Sequence, residues 1–244
     1  MPRANTLLLR RIFEVRKDKH GEKLRKNPKN ALVVGIEPFG AYRSNPTKWL
    51  AKRVNGKTIS GHSIHSLVLP SVAFFQPGEP NHGETIVAAA KQAQADAIVC
   101  FGIGSDIRGF RIESSGVNWA ENAKYLPLEQ NNRVLDERKP AKHVLPINFG
   151  HWKLKQMRQR FEQEGLELEP DVSESAGHYS CNSMIYRTLL EQELHKLDIP
   201  FLFVHASCSH GSVRYDNEFD RKKTLNRNRD LLKALEIILE SRKD

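Results

Sequence analysis

Ala31-Leu32-Val33-Val34-Gly35-Ile36 is an apolar, largely β-branched run with no polar alternation, and Ala97-Ile98-Val99-Cys100-Phe101-Gly102 repeats its character. Strands written this way are buried on both faces, as in a parallel sheet, because a sheet with one wet face alternates apolar and polar residues. Working outward from the first run, Glu37-Pro38-Phe39-Gly40 breaks the strand. Asn45-Pro46 then offers a helix cap with proline at the first helical position, continued by Trp49, Leu50, Arg53 and Val54. Gly56 and Gly61 bracket a crossing into a second strand, Ile64 to Leu69, which stops at Pro70. An alanine-rich helix over Glu84 to Gln94 leads into the 97–102 run, after which Gly102-Ile103-Gly104-Ser105-Asp106 reads as a flexible turn at a strand's carboxyl end. Further on, Val144-Leu145-Pro146 reads as a return to the sheet, and Leu154, Met157 and Phe161 share a helical face closed by Gly165. Pro200-Phe201-Leu202-Phe203-Val204-His205 is another apolar run, and Leu231, Leu235 and Leu239 lie along a final charged, amphipathic helix. This alternation predicts an α/β chain with a largely parallel sheet and helices on both faces.

A length of 244 residues suits one well-buried core, and 39% hydrophobic with 27% charged residues is ordinary for a globular chain. The net charge of +9 is concentrated at one end, because residues 1 to 30 hold ten Lys or Arg against three acids. The division expected is therefore a basic N-terminal extension, 1–30, and a nearly neutral body, 31–244. A basic tail on a neutral body does not make a groove for nucleic acid. Arg10 and Arg11 follow Leu7, Leu8 and Leu9 too closely for a signal peptide, and no apolar run has membrane-spanning length. Three cysteines, Cys100, Cys181 and Cys208, are too few for a disulfide framework, which points to a reducing compartment, the cytoplasm, and leaves a thiol available for chemistry.

The chemistry centres on Ser175-Ala176-Gly177-His178-Tyr179-Ser180-Cys181-Asn182. Small, turn-forming residues give way at Cys181 to a helical pattern through Ile185 and Leu189, so the thiol falls in a helix's first turn. Free N–H groups and the helix dipole there favour an anion and hence a nucleophilic sulfur. His205 stands at the tip of a buried strand, where this architecture places working side chains. Glu113 is a lone acid in the extended piece Phe110 to Asn118, flanked by small residues; its bland reading is a surface carboxylate on an edge strand. Attacker, base and orienting acid together make thiol-based acyl transfer. Two other assignments use the same residues: a metal site from His205, Cys208 and His210 with Cys181, whose spacing matches no common zinc pattern, and His178 as base in place of His205. The charged stretch Trp119 to Lys142 has the length of a lid or interface arm.

Residues 175–182 resemble the nucleophile motif of the pyroglutamyl peptidase I (pyrrolidone-carboxylate peptidase) family of cysteine peptidases. Three further segments agree in order: Gly35-Ile36-Glu37-Pro38-Phe39-Gly40 with Asn45-Pro46, Glu113 with Asn118, and Phe203-Val204-His205. The resemblance implies a single-domain αβα sandwich of the phosphorylase/hydrolase-like kind and removal of an N-terminal pyroglutamyl group from peptides. It implies Cys181 as nucleophile, His205 as base and acid, Glu113 as the imidazole's partner, and no metal or organic cofactor. Around the lactam it implies a slot from Phe39, Ile36, Ile103, Tyr179 and Ser180, and it implies self-association as a homo-dimer or homo-tetramer. The departures lie in the slot: Ile36 replaces a family phenylalanine, Ile103 a glutamine, Ala123 an arginine, and Ala206 follows the histidine in place of valine. Such changes leave room for a same-fold amidase acting on another blocked amino terminus, or for a silent peptide-binding relative.

Overall fold

The structure, a computed structural model, describes residues 29–39, 44–72, 79–104, 107–121, 132–170, 172–174, 176–207 and 218–243, with side chains in the last span from 228 onward. The strands are β1 (Lys29–Ile36), β2 (Thr58–Ile59), β3 (His62–Leu69), β4 (Ala97–Gly104), β5 (Phe110–Ile112), β6 (Ser115–Val117), β7 (Val144–Pro146) and β8 (Phe201–Ser207). The helices are α1 (Pro46–Val54), α2 (His82–Gln92), α3 (Leu154–Gln163), α4 (Ser180–Leu194) and α5 (Glu218–Glu240), with a short 3-10 turn at Phe149–His151. Six strands form one sheet in the order β2-β3-β1-β4-β8-β5. The four inner strands run parallel, and the two edge strands pair antiparallel.

Period-two alternation sorts the inner strands onto two cores. Ala31 and Val33 of β1, Val99 and Phe101 of β4, and Leu202 and Val204 of β8 meet Leu50 of α1, Met157 of α3 and Leu235 of α5 on one face. Leu32 and Val34, Ile98 and Cys100, and Phe201 and Phe203 meet Ile86 of α2 and Met184 and Ile185 of α4 on the other. Each fully buried Val, Leu, Ile, Met or Phe among them contributes roughly 1.5–3 kcal/mol. The result is the expected three-layer α/β/α arrangement, in which the strands lacking polar alternation, β1, β4 and β8, run parallel together with the more polar β3.

Close backbone approaches set the helices. A Cβ on Gly35 would lie 2.2 Å from Thr47 O, so glycine lets the start of α1 sit on β1. There Asn45 Oδ1 accepts from Thr47 N at 3.0 Å and Thr47 Oγ1 donates to it at 2.8 Å, closing the Asn-Pro cap read from the sequence.

Three expectations need correction. Val144–Pro146 does not return to the main sheet but pairs with β6 in a separate two-stranded ladder. Residues 110–118 are not one strand: β5 joins the main sheet, β6 leaves it, and Glu113 sits at the break. The turn expected from Gly102 is strand as far as Gly104, held by pairing of Gly102 to His205 and Gly104 to Ser207; Ser105 and Asp106 lie outside the described residues.

Candidate active site

α4 starts at Ser180 and places Cys181 in its first turn. The helix has no side-chain cap, and its first bond runs from Ser183 N to Tyr179 O at 2.9 Å. The earlier amides of the turn are thus left to an anion, the usual property of an uncapped helix start. Cys181 is partly exposed and packs against the core on the β4 and β8 face shared by Cys100 and Phe203.

His205 belongs to the same face by alternation with Phe201 and Phe203, and its ring stands edge-on to Phe203 with centroids 5.0 Å apart. Its Nδ1 lies 2.6 Å from Glu113 Oε1. Contrary to the surface reading, Glu113 is fully buried, and its Oε2 is without a hydrogen-bond partner. With one ring nitrogen committed to the acid, the Nε2 and Cδ2 edge faces the thiol. A Cβ on Gly102 would lie 3.0 Å from Cys181 Sγ and 3.0 Å from His205 Cδ2, so the bare strand position beside His205 is the floor on which sulfur and imidazole converge. Burial pulls the His205 pKa down, but the charge and hydrogen bond of Cys181 and the hydrogen bond and charge of Glu113 outweigh it and raise it to about 10. In the protonated ring Nδ1 is the donor to the carboxylate, and the other edge of the imidazolium faces Cys181 Sγ.

The segment carrying the acid is fastened along its length. Glu113 N donates to Phe203 O at 3.1 Å, Ser114 N to Ser173 O at 2.9 Å and Ser115 Oγ to Glu174 O at 2.8 Å. Asn118, which the sequence offered only as a motif partner of Glu113, is fully buried; its Nδ2 is within 2.9–3.1 Å of the carbonyls of Asp136, Lys139 and Pro140, and its Oδ1 accepts from Asp136 N at 2.8 Å. One amide thereby anchors the returning half of the excursion expected to be a lid; residues 122–131 lie outside the described residues.

Of the slot residues, Ile36 ends β1 on the face shared with Cys181, and Phe39 follows it half-buried. Tyr179 and Ser180 flank the sulfur: Tyr179 OH donates to Ser71 O at 3.2 Å, and Ser180 Oγ is 3.4 Å from Ser71 Oγ. Ile103 alternates with Gly102, so its side chain turns to the opposite face of the sheet and only its backbone borders the site. His178 is 39% exposed beside Glu121, at 3.9 Å, rather than turned to the thiol. Cys208, His210 and Ala123 lie outside the described residues, and among the described residues no group of three or more His, Cys, Asp or Glu could hold a metal ion. Sequence reasoning missed Gly102 and Asn182, whose parts depend on what folds against them.

The chain resembles known proteins over most of its length. A pyrrolidone-carboxylate peptidase of Oceanobacillus iheyensis is 27% identical over 213 residues, 86% of this chain and 98% of that one. One from Streptococcus pneumoniae is 24% identical over 212 residues, 86% and 91% of the two chains. The crystal structure of Bacillus amyloliquefaciens pyroglutamyl peptidase I superposes with a TM-score of 0.66 at 23% identity, covering 88% of this chain and 96% of that one. A mutant pyrrolidone carboxyl peptidase of Pyrococcus furiosus gives 0.66 at 19% identity, covering 87% and 97%, which speaks to the fold. Residues 29–222, a span holding Cys181, His205 and Glu113, match the pyroglutamyl peptidase family, and the chain belongs to that family.

Proposed function

We propose that this chain is a cysteine peptidase that hydrolyses the amide following an N-terminal pyroglutamyl residue, with Cys181 as nucleophile, His205 as base and acid, and Glu113 as the group that orients the imidazole. The observation that carries the reading is the buried contact of 2.6 Å between Glu113 and His205, with the ring's other edge turned to Cys181, in a chain of this family.

In this reaction the Sγ anion adds to the carbonyl carbon between lactam and peptide, and the carbonyl oxygen becomes an oxyanion. Amides of the first α4 turn receive that charge. As the C–N bond breaks, His205 Nε2 delivers its proton to the departing amine, and a thioester remains on Cys181. Water then attacks the thioester, the imidazole takes its proton, and free pyroglutamate leaves as the ion pair is restored. Glu113, bonded to Nδ1, fixes the tautomer and steadies the imidazolium. The lactam carries no charged amine, so a slot bordered by Ile36 and Phe39 suits it, with Tyr179 and Ser180 at the sulfur and the Ile103 backbone alongside.

The test is turnover of a fluorogenic pyroglutamyl amide by the wild type and by Cys181→Ala, with acetyl and formyl amides in parallel. Release from the pyroglutamyl substrate by the wild type alone is expected. Turnover of only the acetyl or formyl substrates would replace the substrate assignment with that of an amidase for another blocked terminus. No helix among the described residues is long and apolar enough to cross a membrane. A cytoplasmic enzyme that self-associates as a dimer or tetramer is consistent with the family reading, and light scattering on the purified chain tests the second part.

A further inference from the structure

Cys181 is followed by a side chain that the acyl-transfer chemistry does not use. Asn182 is fully buried, and every hydrogen-bonding group of its amide is engaged. Oδ1 accepts from Val117 N at 2.8 Å, while Nδ2 donates to Val117 O at 2.8 Å and to Trp119 O at 2.8 Å. All three partners are backbone atoms of the segment that begins with Glu113. Two residues further, Glu121 N donates to His178 O at 2.9 Å. One residue before Val117, a Cβ on Gly116 would lie 2.4 Å from Tyr186 N, so β6 lies directly on α4. The acid's segment therefore wraps the first turn of the nucleophile's helix, and Asn182 is where helix and segment are locked.

We propose that Asn182 is a positioning residue that sets the rotation of α4 and so the distance from Cys181 Sγ to the His205 ring; this rests on the peptidase reading above. Neighbouring helix positions diverge by about 100°, so Asn182 faces β6 while Cys181 faces β4 and β8. Side-chain atoms ride about 5 Å from a helix axis, and a 20° turn of the helix moves them on the order of 1–2 Å. A shift of that size at a reacting atom costs about 100-fold in rate. Two bonds to Val117 of β6 and a third to Trp119 just beyond it resist such a turn.

The experiment compares full-length wild type, Asn182→Ala and the isosteric Asn182→Asp with Ser241→Ala. The last removes a buried hydrogen bond of 2.7 Å to Ile237 O beyond the end of α5, away from the thiol. The Asn182 variants are expected to lose kcat by about 30-fold or more with KM within about threefold, because the sulfur is misplaced while the lactam slot is intact. Their rate of Cys181 alkylation against pH is expected to shift from the wild-type profile, whereas Ser241→Ala loses thermal stability with unchanged kcat and profile. Unchanged kcat and an unchanged alkylation profile in both Asn182 variants would overturn the proposal, as would losses that merely track melting temperature. If neither variant folds, hydrogen exchange on the wild type decides: strong protection of the Val117 amide supports the lock, and exchange as fast as in exposed loops refutes it. Should the wild type fail to turn over pyroglutamyl amides, the peptidase reading falls by itself, and the alkylation contrast still decides for or against Asn182.

Discussion

Gly102→Ala is the smallest change that should separate the thiol from its base. The added methyl carbon would sit 3.0 Å from Cys181 Sγ, 3.0 Å from His205 Cδ2 and 2.8 Å from Phe203 Cζ, each well inside ordinary contact. Gly102 has no left-handed backbone conformation, so the cost comes from the new contacts and not from φ. Relief requires sulfur and imidazole to retreat by roughly 0.5–1 Å, and displacement on that scale lowers kcat by about 100-fold. Overpacking a filled site costs about 1–3 kcal/mol. For a chain of this length that lowers the melting temperature by roughly 2–12 °C. The assays are kcat on a fluorogenic pyroglutamyl amide, iodoacetamide labelling of Cys181, and a thermal melt. Retention of kcat within about threefold, with a melting point at or above wild type, would show that the thiol and ring do not converge over this strand position.

The raised pKa of His205 gives a signed prediction: its stabilisation is fully present below pH 6.5 and fades as pH rises through about 10. Melting temperature across that window should therefore fall more steeply for the wild type than for His205→Gln, and parallel curves would contradict the charged pair. Cys100 is fully buried and burial pushes its thiol up, with Cys181 adding to the effect, so mass spectrometry after brief labelling should find Cys181 modified and Cys100 modified only after denaturation. Equal labelling of the two would count against an activated sulfur. Asn118→Ala removes the partner of Asp136 N and one bond from each of three carbonyls, of which those of Asp136 and Pro140 keep the N–H groups of Lys139 and His143; each group left buried without a partner costs about 1–3 kcal/mol. It should lower the melting point and open residues 132–143 to limited proteolysis; an unaltered melt would mean that the loop is held by other bonds.

The inner strands were legible because burial on both faces writes itself locally, as in Ala31–Ile36 and Ala97–Gly102. The positions of Cys181 and His205 were legible for a related reason: a helix start and a strand tip are local events. Glu113 was harder, since nothing in Ile112-Glu113-Ser114 distinguishes a surface carboxylate from a buried one until β8 places His205 against it. Ile103 was named by motif correspondence alone, and strand parity sets its side chain on the face opposite that of Gly102. Asn182 and Gly102 were silent because a buried amide and a missing Cβ acquire meaning only from backbone brought to them across long sequence separations. The β6–β7 ladder was misassigned because a three-residue apolar run carries no information about which edge it will join.

The strand order has a consequence for biosynthesis. β8 occupies the place between β4 and β5, so the edge strand leading to Glu113 has no seat in the main sheet until residues 201–207 have been inserted. On the ribosome, a nascent chain that already displays the cysteine still lacks both the imidazole and a docked carboxylate, and its sulfur behaves as any dormant thiol. Assembly of the three groups thus waits on residues 201–207, and until they are inserted the neighbouring polypeptides in a crowded cell meet Cys181 as an ordinary thiol.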